Sequence, residues 1–340
     1  MLKNVTSLEV EIFSKCNRKC SWCPNSVVDR FSENNYMSEE TYLKFLYDIK
    51  KEIDDEDHFK ISWSRYNEPF LDIDLLKKRV KQARDIFPNV ILECNTNGDV
   101  LRKIGKEAFD GLLLDIVMIM DYDCKGVGHG EELFKKCGVK KLTDIDRKDC
   151  EIPLGYKKDH ILLGTSKNIK LVKYVANWPE TQDIQYRGGV LFDYDQKKNK
   201  ELVSNYGNKG KKLSWHKGPK DYSTRGMMNT TNLNPRRKEP CNDPTTGIFV
   251  DHNGSVTPCC NIRSDVDMHK DFILGNINKD SIDNIFNSEK ATKFRKTLKD
   301  GDWKNYPLPC KYCMSPLSKP FANKSKIKLI KKLRQKGLEE

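Results

Sequence analysis

Apolar positions along the first two hundred residues follow two alternating rhythms. Short apolar runs at residues 8–13, 58–64, 89–94 and 115–120 have the length and β-rich composition of buried strands. Between them the spacing changes to that of helices. Ser38 suits a helix N-cap, acidic residues fill the first turn after it, and Tyr42, Phe45, Leu46, Ile49 and Ile53 fall on one face. Asp72 or Asp74 opens a second helix with Leu75, Leu76, Val80, Ala83 and Phe87 inward, and residues 101–113 predict a third. Weaker strands follow near 160–163, 171–176 and 184–186.

Repeated strand–helix units imply a parallel sheet with helices outside. Ligands in such sheets sit at the carboxyl ends of the strands, so the segments to read are 16–23, 64–69, 95–98 and 121–124. Asn97 and Gly98 predict a turn with Gly98 at positive φ. Gly126, Gly128 and Gly130 lack the spacing of a dinucleotide fingerprint and read as a mobile loop. A smaller second part begins at Cys241. There, residues 247–250 and 255–257 flank a hairpin turn at 251–254, and residues 282–298 read as one helix.

A chain of 340 residues is long enough to bury a substantial core. It has no run approaching the roughly 18 apolar residues that span a bilayer. Its first residues show neither an apolar signal core nor a cleavage site. The expectation is a cytoplasmic protein with no membrane partner. The net charge of +12 is concentrated between residues 197 and 239, which hold twelve Lys/Arg against three Asp/Glu and few apolar residues. Such a block is either a solvated insertion or a docking element for a negatively charged substrate, its carrier, an acidic peptide or nucleic acid. Twelve cysteines in a chain without a secretion signal point to metal rather than disulfides.

Cys16, Cys20 and Cys23 form C-x3-C-x2-C directly after the first predicted strand. Three thiolates on one tight loop can wrap one face of a metal centre. A zinc knuckle would need a distant fourth ligand, whereas a 4Fe–4S cluster on three cysteines leaves one iron open. With Trp22 before the last cysteine, this loop resembles that of the radical S-adenosylmethionine superfamily. The resemblance implies a partial (β/α)6 barrel and a catalytic 4Fe–4S cluster whose open iron binds S-adenosylmethionine. It also implies reductive cleavage of that cofactor to a 5′-deoxyadenosyl radical, which takes a hydrogen atom from substrate. An electron donor such as flavodoxin or ferredoxin follows from the same chemistry. Two further segments agree. Ser64-Arg65-Tyr66-Asn67-Glu68-Pro69 resembles the family's Gly-Gly-Glu-Pro segment, with Glu68 at the acidic position and Tyr66 and Asn67 in place of glycines. Asn95-Thr96-Asn97-Gly98 resembles the ribose-contacting strand end. Trp22, Ser64, Asn67, Glu68, Asn95 and Asn97 are thereby expected to bind the cofactor.

Cys241, then Gly254-x4-Cys259-Cys260, then Cys310-x2-Cys313 resembles a SPASM or twitch domain, a small α+β module that holds auxiliary clusters. No cysteine follows Cys313, so the expected ligands are Cys241, Cys259, Cys310 and Cys313 around a second 4Fe–4S cluster. Cys260 is an alternative to Cys259, and four thiolates also suit zinc. Cys94 and Cys124 lie near strand ends, where a thiol is either a buried apolar group or a hydrogen-atom donor; Cys137 and Cys150 read as structural. The expected organisation is a radical S-adenosylmethionine partial barrel over 1–195, the basic insertion over 196–240, the auxiliary-cluster domain over 241–318 and a basic tail over 319–340. Dehydrogenation of a sugar-like or other small polar molecule is the expected reaction, with peptide modification and a nucleic-acid-binding iron–sulfur protein as alternatives. Arg187-Gly188-Gly189 is a candidate anion contact, and His58, His160 and His216 have no partner visible in the sequence.

Overall fold

The computed structural model describes residues 2, 4–18, 25, 28–53, 59–123, 125–142, 161–176, 223–224, 228–229, 240–301, 305 and 310. In chain order the elements of the first part are β1 (Ser7–Val10), α1 (Glu39–Glu52), β2 (Lys60–Ser62), α2 (Ile73–Ile86), β3 (Ile91–Thr96), α3 (Asp99–Ile104), β4 (Ile116–Met120), α4 (Gly126–Lys136), β5 (Lys140–Lys141), β6 (Ile161–Thr165) and β7 (Leu171–Val175). A two-residue antiparallel pair follows, β8 (Ser223–Thr224) with β9 (Met228–Asn229). Then come α5 (Asp243–Thr246), β10 (Gly247–Val250), β11 (Ser255–Thr257), β12 (Gly275–Asn276), α6 (Ile282–Asn287) and α7 (Glu289–Lys299). They divide into two compact units. One comprises Met1–Ile53, Arg65–Asn67 and Ile184–Phe321; the other comprises Asp54–Ser64, Glu68–Asp183 and Ala322–Glu340.

In the second of these units β2, β3, β4 and β7 lie side by side and parallel. This is the α/β architecture the strand–helix alternation implies. The helices form where their caps and apolar faces put them. Asp72 caps α2 by accepting from the Leu75 N–H, and Leu76, Val80 and Ala83 are buried on its inner face. The parallel run does not continue as a simple barrel. β6 pairs antiparallel with β7, and β5 antiparallel with β6, so β7 rather than β6 is the neighbour of β4. Two local expectations also change. The three glycines from Gly126 begin helix α4 instead of forming a loop. The predicted third helix ends at Ile104, where Gly105 at φ +74° turns the chain into a 3-10 segment.

The first unit is built on a sheet in the order β12–β11–β10–β1. β1 runs parallel to β10, pairing Ser7 with Gly247 through Val10 with Val250. β10 and β11 form the expected hairpin, with the Gly254 N–H donating to the Asp251 carbonyl at 2.8 Å and Gly254 at φ +81°. Ser38 caps α1 through the Thr41 N–H, and Tyr42, Phe45, Leu46 and Ile49 are buried on the face that packs against α6. The predicted single helix over 282–298 is two. Ser288 leaves helical geometry and caps α7 by accepting from the Ala291 N–H, because its hydroxyl competes with the backbone for that donor. Among the described residues no helix is long and apolar enough to cross a membrane. The predicted strand at 184–186, the 319–340 tail and nearly all of the basic insertion lie outside the described residues.

Candidate active site

The first cysteine loop opens directly after β1. Its stem is a ladder of backbone and side-chain bonds: Met37 N–H to Ile12 O, Ser14 N–H to Asn35 O, Asn35 N–H to the Ser14 hydroxyl, and Lys15 N–H to the Asn34 side chain. At the top of the stem the Cys16 N–H donates to the Arg30 carbonyl at 2.8 Å, which brings the two ends of the cysteine loop together. Cys20, Trp22 and Cys23 lie within that loop but outside the described residues.

In the other unit the strand ends converge on Glu68. This residue is buried and caps the 3-10 turn Pro69–Asp72 by accepting from the Phe70 N–H. Its carboxylate also accepts from the Thr96 hydroxyl at 2.6 Å and the Asn97 N–H at 2.8 Å. Burial pushes the Glu68 carboxyl up, these three donors pull it back, and it settles at about 7. The Ser64 hydroxyl meets both the N–H (2.5 Å) and the carbonyl (3.1 Å) of Asn95. Ser64, Glu68, Asn95 and Asn97 thus form one constellation at the carboxyl ends of β2 and β3. The Asn97 side chain accepts from Asp99 N–H at the start of α3, and Gly98 takes φ +76°, the turn conformation its sequence predicts. Cys94 is fully buried, its sulfur accepts from Ser64 at 3.4 Å, and burial raises its thiol well above the usual range. Cys137 is buried as well and is pushed up to about 11 by burial. Cys124, Cys150, Arg187 and the histidines at 58, 160 and 216 lie outside the described residues.

The second cysteine group is in the first unit. Cys259 follows β11, and its sulfur accepts from the Asn261 N–H at 3.4 Å, the geometry by which a loop amide supports a ligand thiolate. Burial raises the Cys259 thiol well above its ordinary value, and Cys260, Cys310, Asp243 and Cys241 each add to the rise. Cys241, Cys260 and Cys310 thus lie near enough to Cys259 to act on it, and all four residues are half-buried. Four such thiols are a donor set that fits an iron–sulfur cluster. Among the described residues no three His, Cys, Asp or Glu side chains converge on a single-ion site, and no disulfide joins the cysteines. Cubane ligands stand farther apart than those of one ion, since each binds a separate iron. Cys313 lies outside the described residues.

Sequence reasoning missed the charges around these loops. Glu11, just past β1, is fully buried and receives Arg30 at 2.8 Å, His252 at 3.0 Å and the Tyr66 N–H at 3.2 Å. Burial pushes the Glu11 carboxyl up, but Arg30, His252 and Arg65 outweigh it and hold it down at about 2. Arg65 is buried against Asp251 at 2.9 Å and also donates to Thr257 and to the Ile262 carbonyl. Arg65, Tyr66 and Asn67 thereby belong to the same unit as the second cysteine group. The signal available beforehand was the presence of Glu11, Arg65, Arg263 and Asp265 within apolar or cysteine-bearing segments, where an unpaired charge is costly.

Comparison with known proteins agrees with this geometry. Residues 241–314 match SPASM, an iron–sulfur cluster-binding domain. The chain is 25% identical over 316 residues to the S-adenosyl-L-methionine-dependent 2-deoxy-scyllo-inosamine dehydrogenase of Niallia circulans, covering 92% of this chain and 94% of that protein. The fold is similar to a crystal structure of BtrN in complex with AdoMet and 2-DOIA, with a TM-score of 0.51 at 19% identity over 92% of this chain and 94% of that one.

Proposed function

We infer that this chain, a radical S-adenosylmethionine enzyme with a SPASM auxiliary-cluster domain, dehydrogenates a carbinol or amine carbon of a small, sugar-like substrate. The observation that carries the reading is the iron–sulfur cluster-binding domain matched over residues 241–314, joined to a relative named as a dehydrogenase that aligns over almost the whole chain. Cys16, Cys20 and Cys23 would hold the catalytic cluster, and Cys241, Cys259, Cys310 and Cys313 a second one. When bound, the two clusters and S-adenosylmethionine supply a 5′-deoxyadenosyl radical that takes a substrate hydrogen, and an acceptor for the electron left behind. The chain's own residues bind and orient. Glu68 offers a carboxylate to the cofactor's ammonium, held in place by Thr96 and the Asn97 N–H. Asn95, Asn97 and Ser64 offer polar groups to its ribose at the ends of β2 and β3, and the family resemblance adds Trp22 and Asn67 as cofactor contacts. A flavodoxin or ferredoxin would deliver the starting electron, and the reducing cytoplasm is the compartment that suits such thiols.

Anaerobically reconstituted protein is expected to hold about eight irons, two clusters of four, and the Cys16, Cys20 and Cys23 triple alanine variant about four. With an aminocyclitol or polyol deuterated at its carbinol carbon, deuterium should appear in 5′-deoxyadenosine and a carbonyl in the product. Zinc without iron–sulfur absorption would sink the family reading. Iron-loaded protein that cleaves S-adenosylmethionine yet takes up no deuterium from any such substrate would sink the dehydrogenase reading alone.

A further inference from the structure

The two cysteine loops end on the same buried ring of side chains. From Glu11, a carboxylate oxygen accepts from Arg30 Nη1 at 2.8 Å. Arg30 Nε donates to Asp265 at 2.6 Å. Asp265 also accepts from Arg263 through both oxygens, at 2.7 and 2.5 Å. Arg263 Nη1 donates to the Asn25 side-chain oxygen at 3.0 Å, and the Asn25 amide donates to the Tyr66 carbonyl at 2.7 Å. The Tyr66 N–H returns to Glu11 at 3.2 Å and closes the ring. Apart from Asp265, every member is at most 3% exposed.

Burying that many charges is a poor way to gain stability, because desolvation offsets most of the attraction. What a closed ring of buried hydrogen bonds supplies instead is one fixed geometry. Here the geometry it fixes is that of the two loops. The Arg30 carbonyl closes the first loop on the Cys16 N–H, and Asn25 lies within that loop. Arg263 and Asp265 lie three and five residues after Cys260. Tyr66 touches both sides. Its hydroxyl donates to the Cys260 carbonyl at 2.6 Å, and the Arg263 guanidinium lies 4.3 Å from its ring centre. A glycine at this position could offer the same N–H and carbonyl to the ring, but neither the hydroxyl nor the aromatic face.

We propose that the ring of Glu11, Arg30, Asp265, Arg263, Asn25 and Tyr66 clamps the two cysteine loops to each other, with Tyr66 the positioning residue that imposes the geometry of one cluster site on the other. The proposal rests on the reading that both loops hold clusters. Its consequence is cross-talk: a change on one loop is felt at the far cluster.

The test uses full-length, anaerobically reconstituted protein with Tyr66→Phe, Arg263→Lys and Arg30→Lys. Iron content, redox titration and the electron paramagnetic resonance signal of each cluster, with and without S-adenosylmethionine, are the readouts. Tyr66→Phe should keep about eight irons, shift the auxiliary midpoint and alter the S-adenosylmethionine-bound signal of the N-terminal cluster. Arg263→Lys should alter that N-terminal signal too, and Arg30→Lys the auxiliary midpoint. A lysine variant that loses both clusters together supports the clamp; one that loses only the cluster on its own loop counts against it. Iron-loaded variants whose effects stay on their own side, or vanish, overturn the clamp and leave the functional reading standing. Wild-type protein without iron overturns the functional reading itself.

Discussion

At the scale of single residues, the site depends on carboxylates whose environments push them in opposite directions. Glu68 is raised to about 7 from an ordinary value of 4.5 by burial. Its contribution to apoprotein stability is therefore full below about pH 4.5 and is lost as pH rises through 7, when a buried charge must form. A cofactor ammonium reverses this, because it needs the ionised form. Affinity for S-adenosylmethionine should fall as pH drops through 7, and Glu68→Gln should weaken it by about tenfold or more and flatten the pH profile. Equilibrium binding between pH 6 and 8 checks this; a wild-type affinity indifferent to pH would remove Glu68 from the ammonium. Glu11 runs the other way. Held at about 2, it stabilises the fold above 4.5, and that stability is lost as pH falls through 2. Arg30→Met leaves this buried carboxylate short of its main counter-charge, so a loss of about 3–5 kcal/mol is expected in denaturant unfolding at pH 7. Glu68 stood out in the sequence because its neighbours resemble a motif. The role of Glu11 was not, because its partners Arg30, Tyr66 and His252 come from distant parts of the chain.

At the scale of elements, apolar periodicity and caps located the longer strands and the helices at 39–52 and 73–86, since both signals are local. Ser38 and Asp72 cap the helices they were expected to cap. What periodicity could not give was direction and partner. The runs near 160–163 and 171–176 read as strands in the sequence, yet only tertiary contact decides that they pair antiparallel. The glycines from Gly126 show a different limit. Glycine disfavours a helix by about 1 kcal/mol per residue, so a loop was the local expectation. Packing overrides it. A β-carbon at Gly130 would lie 2.4 Å from the Tyr174 ring and 2.8 Å from Leu162, so only glycine lets α4 lie close to β7 and β6. Gly130→Ala therefore gains helix propensity and loses more to overpacking, a net destabilisation of about 1–3 kcal/mol. Gly128 has open space around its β-carbon position, so Gly128→Ala should be stabilising by up to about 1 kcal/mol. Paired urea titrations of the two variants measure the difference. Equal effects at the two positions would mean that α4 does not pack as described.

At the scale of the whole molecule, the iron–sulfur domain over residues 241–314 was legible, because its cysteines follow short spacings. The pairing of β1 with β10 was not, because strand patterns do not name partners across such a separation. It puts the strand that leads into the first cysteine loop in one sheet with the strands that lead into the second. The remaining large-scale feature is charge. The chain carries +12 overall, and most of that excess lies between residues 197 and 239. So many like charges with few apolar residues gain little by packing together, and they attract anions instead. We expect this stretch to dock a substrate, or its carrier, that bears negative charge. Attraction between exposed charges is screened within about 10 Å at 0.1 M ionic strength, so the apparent Michaelis constant should rise with salt. Neutralising Lys209, Lys211, Lys212 and Lys217 together should raise that constant at low salt and remove most of its salt dependence. Cofactor cleavage without substrate should stay nearly unchanged, because none of these lysines belongs to the cysteine loops or the Glu68 constellation. Wild-type kinetics indifferent to salt, with the quadruple variant fully active, would reduce the stretch to a solvated insertion and point to an uncharged substrate.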